Sequence, residues 1–224
     1  SFISDSTVVI TVGTPVDNFL NPDMRQIKEC IDSLIPYLKK GQLIILRSTV
    51  YPGTSDWLYK YLFKKKKCDI AFCHERVIQG YTFDEIEKLP QIIAASSKTA
   101  LKRATLIFKK ISKKIVYCSL KEAEFSKLFS NSFRYAQFAI ANEFYMLADK
   151  AGLDFNKIRK ITKDGYPRAE SLPSAGFAAG PCLLKDTMQL LSFSRNNFSI
   201  GNSSMLVNEG LVLYLIDKLD FGFS

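Results

Sequence analysis

Short β-branched apolar runs alternate along the first half of the chain with amphipathic stripes. Residues 7–12 read Thr-Val-Val-Ile-Thr-Val and stop at Gly13-Thr14-Pro15, as a buried parallel strand stops at a loop. After Pro22 and Asp23 the apolar positions Met24, Ile27, Ile31, Leu34, Ile35 and Leu38 recur at helical spacing, and Lys39, Lys40 and Gly41 supply a helix stop. The cycle then repeats, with a strand over 43–46, a loop over 48–54, a helix over 57–63 and a strand over 70–73. Two further strands, 92–95 and 115–118, flank a helix over 98–111. Such alternation predicts a parallel α/β sheet. In open sheets of that kind ligands lie at the carboxyl ends of the strands, here the loops 13–15, 48–53 and 74–80. No Gly-rich phosphate turn precedes these elements, so either the sheet is of another type or the first half of the domain lies outside the chain.

Beyond Cys118 the pattern becomes that of a long helix. Ser119 and Glu122 make a capping box, and Phe125, Leu128, Phe129, Phe133, Ala136, Ile140 and Phe144 continue a stripe towards Lys150 and Gly152. Tyr135, Phe138 and Tyr145 add aromatic surface away from that stripe, which predicts a homodimer formed through the 119–150 helix. Shorter helices are expected over 154–163, 185–195 and 203–219, with a loop over 166–181.

Composition narrows the function. A 47% hydrophobic content supplies a core for 224 residues, and no apolar run approaches the roughly 20 residues that a membrane-spanning helix needs. Residues 1–6 lead into the first strand without a secretory signal. Five cysteines, an odd number without a paired framework, point to reduced thiols in a cytosolic compartment. The single histidine, His74, leaves a Ser-His-Asp hydrolase unsupported, and Cys68, Cys73 and His74 lack the second ligand pair of a zinc site, so no metal is expected. The net charge of +9 is concentrated before residue 119, where 19 basic face 11 acidic side chains. Lys64 to Lys67 and the paired lysines at 109–110 and 113–114 read as solvated helix faces, because no nucleic-acid recognition motif accompanies them.

The segment Gly176-Phe-Ala-Ala-Gly-Pro-Cys182-Leu-Leu-Lys185-Asp186 is the most informative chemically. Small residues let backbone and substrate approach closely, and Asp186 lies one turn from Cys182 near a helix start, where the dipole favours an anion. By itself, a cysteine in such a loop is more often a packed thiol. Three other segments change that balance: Ser48-Thr-Val-Tyr-Pro-Gly-Thr54, Glu75-Arg-Val and Glu124-Phe-Ser-Lys127-Leu-Phe-Ser-Asn131.

In their order and spacing these segments resemble the nucleotide-sugar dehydrogenases over essentially the whole chain. The resemblance implies the second half of a Rossmann-like NAD-binding domain at 1–118, an all-helical central domain at 119–202, and at 203–224 a helix leading into a nucleotide-sugar-binding domain. On this reading the chain is an internal fragment, inactive alone. The implied reaction is NAD-dependent oxidation of a UDP-sugar primary alcohol to the uronic acid, using two NAD in turn. Cys182 matches the nucleophile that forms a thiohemiacetal and then a thioester. Lys127 and Asn131, four apart on one helix face, match the pair that stabilises the adduct oxygen. Asp186 and Thr49 match the pair that activates water, and Glu75 a glutamate beside the reacting centre. Gly13, Thr14, Pro15, Ser48 and Thr49 match the loops bordering the nicotinamide and its phosphates. Gly176, Gly180 and Lys185 join Lys127 and Asn131 as substrate contacts.

Three positions depart from the family pattern. His74 replaces a proline, Ala179 replaces a glycine, and Gln79 stands where glucose-oxidising members carry a second glutamate. Gln79 cannot act as a base, and Glu75-Arg76-Val77 is closer to the branch acting on N-acetylated amino sugars. Two alternatives stay open: a β-hydroxyacid or 6-phosphogluconate-type dehydrogenase, which uses no cysteine, and a noncatalytic dimerisation module.

Overall fold

Every residue of strand β2 (Leu43–Leu46) is buried, and its side chains alternate between two cores. Ile44 and Leu46 join Ile10, Ile27, Ile31, Leu58 and Leu62 on one face. Leu43 and Ile45 join Ile93, Ala100, Ala104 and Phe108 on the other. A strand covered on both faces needs an unbroken apolar run, which is what Leu-Ile-Ile-Leu provides. The computed structural model describes residues 7–14, 16–17, 22–77, 80, 85–178 and 180–220. The chain divides into two units, Ser1–Leu128 and Phe129–Ser224.

The first unit holds a sheet in the order β1-β2-β3-β4-β5. β1 (Val8–Ile10) pairs parallel with β2, Val8 opposite Ile44, and β2 pairs parallel with β3 (Asp69–Phe72), Leu43 opposite Asp69. β4 (Gln91–Ala95) and β5 (Ile115–Tyr117) are again parallel, Gln91 opposite Ile115. The pairing of β3 with β4 is antiparallel, Phe72 opposite Ala94, so the expected parallel sheet is parallel at three of its four pairings. Helix α2 (Thr54–Lys66) crosses from β2 to β3 and α3 (Lys98–Phe108) from β4 to β5. Between β3 and β4 the described residues include a helical turn at 85–86, and the register of Phe72 with Ala94 shows β4 running opposite to β3.

Helix α1 (Arg25–Leu34) is shorter than its apolar stripe predicts, because Pro36 has no backbone N–H to continue it and a 3-10 turn, Ile35–Tyr37, follows. The long helix is α4 (Leu120–Lys150). Its capping box forms as expected: Ser119 N donates to Glu122 Oε2 at 2.7 Å, and Glu122 N donates to Ser119 Oγ at 3.3 Å. Leu120 and Ala123, in its first turns, belong to the core beneath β2.

The second unit contains the rest of α4 with α5 (Phe155–Lys163), α6 (Pro181–Phe193) and α7 (Ser199–Asp220). Asp154 caps α5, accepting from the backbone N–H of Asn156 and Lys157. Helix α6 starts four residues before its expected position because Pro181 occupies its first turn, where a missing N–H costs nothing. Ala141, Ala148 and Phe155 form a small core, packed by Tyr145, Leu172 and Ala175.

The completely buried Leu58 on α2 and the 59% exposed Leu106 on α3 give a direct test of the two-faced core. Leu58→Ala is expected to lower stability in urea unfolding by about 3 kcal/mol through lost burial and a residual cavity. Leu106→Ala is expected to change it by less than about 0.5 kcal/mol. Equal effects at the two sites would contradict the assigned core.

Candidate active site

The carboxyl ends of β1 and β2 are tied together by two side chains. Ser48 Oγ donates to Val12 O at 2.6 Å, and Thr14 Oγ1 donates to Thr49 O at 2.5 Å. A small hydroxyl reaching a neighbouring backbone carbonyl fixes each loop without filling the space above it. Gly13 stays exposed there, and Thr14, Ser48 and Thr49 are half-buried. Exposed glycine backbone and short hydroxyls at adjoining strand ends fit one flank of a dinucleotide. Pro15 lies outside the described residues.

Past β3 the chain places His74 and Glu75. Glu75 Oε2 is paired with Arg47, and its Oε1 accepts from Arg76 N at 2.7 Å and Val77 N at 3.1 Å. Arg47, which the sequence pattern did not mark, also donates to Cys73 O and Gln91 Oε1 and stacks over the Phe108 ring at 5.1 Å. Burial lowers its pKa from the ordinary guanidinium value. The half-exposed Glu75 is thus held in a defined orientation by a cation and two amides.

His74 is 1% exposed, with Nε2 3.3 Å from Ser126 Oγ on α4. Because Ser126 Oγ itself donates to Ala123 O at 2.9 Å, Nε2 is assigned as the donor and Nδ1 bears the lone pair. Burial, followed by the positive charges of Lys127, Arg76 and Arg47, pushes the imidazole pKa down to about 3. Lys127 follows Ser126 on α4 and is half-buried. Gln79 and Ala179 lie outside the described residues.

The second unit assembles the other expected residues. Cys182 is exposed in the first turn of α6, after Gly180 at φ +76°, a conformation that an L side chain would strain. One turn further, Asp186 is 1% exposed; its Oδ2 accepts from Asn131 Nδ2 at 2.5 Å and its Oδ1 lies 2.9 Å from Lys185 Nζ. Asn131 is itself 7% exposed. Asn131 therefore faces the interior of its unit and Asp186 is held within the body of α6. The spacing of four residues puts Cys182 and Asp186 on one face of α6, and the same spacing puts Lys127 and Asn131 on one face of α4. Thr49, Glu75 and Lys127 belong to the first unit, and Asn131, Cys182, Lys185 and Asp186 to the second.

A polar ladder supports the loop before Cys182. Gly176 N donates to Asn142 Oδ1 at 2.8 Å, Asn142 Nδ2 donates to Asn208 Oδ1 at 2.9 Å, and Asn208 Nδ2 donates to Tyr135 O at 3.0 Å. Tyr135 Oη donates to Glu209 Oε1 at 2.9 Å. Tyr135 is buried, so it does not contribute exposed aromatic surface to α4 as expected from the sequence. The signal for this ladder was present: Asn131, Tyr135 and Asn142 fall on one face of α4, polar groups where a purely apolar stripe would suffice.

Residues 3–112 match the NAD binding domain of the UDP-glucose/GDP-mannose dehydrogenase family and residues 121–209 match its central domain, so the chain belongs to that family. Within it, the chain is similar to UDP-N-acetyl-D-mannosamine dehydrogenase of Methanocaldococcus jannaschii, with 31% identity over 94% of this chain and 50% of that relative. The enzyme of the same name from Yersinia pestis is 27% identical over 94% of this chain and 53% of its own length. The structure of UDP-D-ManNAc dehydrogenase from Pyrococcus horikoshii superposes with a TM-score of 0.86 and 27% identity, covering 96% of this chain and 53% of that one. The chain thus spans about half the length of the curated relatives it matches. Among the described residues no helix is long and apolar enough to cross a membrane.

The buried imidazole makes a pH prediction. A histidine held neutral in the fold and free to protonate when unfolded contributes stability that is complete above its unfolded pKa of 6.5 and is lost as pH falls towards about 3. Since His74 is the single histidine, one imidazole resonance reports it. That resonance is expected to stay fixed between about pH 8 and 5 in the folded chain. A folded-state midpoint near 6.5 would show that His74 is solvated.

Proposed function

We propose that this chain supplies the nicotinamide-side strand ends and the covalent-catalysis residues of an NAD-dependent UDP-sugar dehydrogenase, acting on an N-acetylated amino sugar of the N-acetyl-D-mannosamine type. The observation that carries the reading is the buried Asn131–Asp186 pair, with Lys185 Nζ beside the carboxylate, one turn from the exposed Cys182. The names of the relatives support the amino-sugar preference. In the proposed division, residues 1–118 form the NAD-binding part, 119–202 the central part, and 203–224 lead towards a nucleotide-sugar-binding part.

NAD supplies the electron acceptor, taken up twice, for the four electrons lost between alcohol and acid. The chain's own groups manage the carbon centre. Once the sugar carbon is an aldehyde, the Cys182 sulfur adds to it, forming a C–S bond and an oxyanion that takes a proton to complete the thiohemiacetal. Lys127 and Asn131 stabilise that oxygen by charge and by hydrogen bonding. After the second oxidation the carbon is a thioester. Water attacks it, the C–S bond breaks, and the thiolate leaves as the carboxylate forms. Asp186 and Thr49 orient the attacking water, with Asp186 as its base. Glu75, steadied by Arg47, borders the reacting carbon, while Gly176, Gly180 and Lys185 contact the substrate. Gly13, Thr14, Pro15, Ser48 and Thr49 flank the nicotinamide and its phosphates.

A homodimer through α4 belongs to the same proposal. Phe129, Phe133, Phe144 and Leu147 are 58%, 64%, 48% and 59% exposed, more apolar surface than a solvated helix ordinarily carries. Light scattering of the full-length protein at tens of micromolar is expected to give twice the chain mass; a monomeric mass would refute the dimer.

The reaction is tested by replacing Cys182 with Ser in the full-length protein. Wild type is expected to release two NADH per UDP-sugar. Cys182→Ser should bind NAD and UDP-sugar normally but form no free acid, because a serine hydroxyl is a weaker nucleophile and leaves less readily than a thiolate. Two NADH per sugar at near wild-type rate in the variant would reduce Cys182 to a packing residue. In wild type, one NADH per sugar would favour a β-hydroxyacid-type oxidation, and none a noncatalytic module.

A further inference from the structure

Helix α2 is preceded at its N-cap by Gly53, a residue at φ +94° with no side chain of its own to cap the exposed N–H groups. The cap comes instead from another helix. Glu124 of α4 is 1% exposed, and its two oxygens accept from Gly53 N and Ser55 N, each at 2.7 Å. A carboxylate here satisfies two donors at once and faces the positive end of the helix dipole. Burial raises its pKa, and the two amide contacts oppose that rise. A charged group so deeply buried is retained only where its geometry is worth the desolvation.

The position of this carboxylate connects two parts of the proposed chemistry. Gly53 closes the loop that begins at Ser48 and Thr49, whose other end is fastened by Ser48 to Val12 and by Thr14 to Thr49. Glu124 is three residues before Lys127 on α4, so the two follow one another by about one helical turn. Loop end and lysine are therefore referenced to the same side chain. A second contact between α2 and α4, Lys121 Nζ to Asp56 Oδ2 at 3.9 Å, is exposed and long, and supplies little constraint.

We propose that Glu124 is a positioning residue: by capping α2 from α4 it fixes the Thr49 loop at the separation from Lys127 that oxidation of the sugar requires. The inference rests on the dehydrogenase reading for its consequence and on the Gly53 and Ser55 contacts for its geometry. Glu124→Gln keeps the size of the side chain, but its NH2 group confronts one of the two N–H donors, so the cap is half lost. Glu122, exposed two residues earlier on α4, is the control, since it caps only its own helix.

The test joins amide hydrogen exchange to steady-state kinetics in the full-length protein. In Glu124→Gln the Gly53 and Ser55 amides are expected to exchange at least about tenfold faster than in wild type, with the core amides of β2 unchanged. The kcat for UDP-sugar oxidation is expected to fall about tenfold or more while KM stays within about twofold, the pattern of misplaced catalytic groups with intact binding. Glu122→Gln should leave kcat within about twofold of wild type. Glu124→Ala repeats the exchange measurement without the opposed amide. Unchanged exchange at Gly53 and Ser55 in both variants overturns the cap, and unchanged kcat in Glu124→Gln, or an equal fall in Glu122→Gln, overturns the positioning role. If wild type oxidises no UDP-sugar, the dehydrogenase reading and the positioning role fail together, while faster exchange in the variants would still establish the cap.

Discussion

Burial of β2 and β3 on both faces is the constraint from which the first unit follows. Leu43 and Ile45 face one core, Ile44 and Leu46 the other, and β3 repeats the division with Ala71 and Cys73 against Ile70 and Phe72. Slipping either strand by one residue would exchange its two faces, presenting Ala71 where Phe72 now fills space. The register is thereby fixed, and with it the places where the strands end. Ser48, Thr49, His74 and Glu75 follow closely on these strands and take their positions from that register.

At those ends hydrophobic burial gives way to specific polar contacts. Ser48 and Thr14 bond to backbone carbonyls, Arg47 clamps Glu75, Gln91 and the Cys73 carbonyl, and Glu124 caps a neighbouring helix. Apolar contacts set distance loosely, whereas hydrogen bonds also set direction. The same division of labour appears in the second unit, where Asn142, Asn208 and Tyr135 support the loop before Cys182 and Asn131 orients Asp186. Glu124, Asn131, Asn142, Asn208 and Asp186, which are buried, each find a hydrogen-bonding or ionic partner, as polar groups removed from water require.

Helix α4 contributes to both sets. Its early turns carry Glu124, Ser126 and Lys127, and its later turns carry Asn131, Tyr135 and Asn142. Its sequence consequently mixes buried polar residues with apolar ones in place of a clean stripe. The exposed Phe129 and Phe133 occupy a different face from Asn131 and Tyr135, which lets one helix present apolar surface and polar contacts together.

The amino-acid sequence by itself determined the alternation of strands and helices, the capping box at Ser119, the long helix to Lys150 and the candidate residues at the strand ends, because period, β-branching and cap chemistry are local properties. Cys182, Asp186, Lys127 and Asn131 became candidates through the resemblance of their ordered segments to the dehydrogenase family. The reversal of β4 was not, since strand direction depends on the path of the connecting chain and leaves no periodic trace. Tyr135 read as surplus aromatic surface until its hydroxyl was seen on Glu209, 74 residues away. Arg47 and Glu124 drew no role from the sequence for the same reason: their partners, Glu75 and the amides of Gly53 and Ser55, are remote in sequence and meet them only in the folded unit.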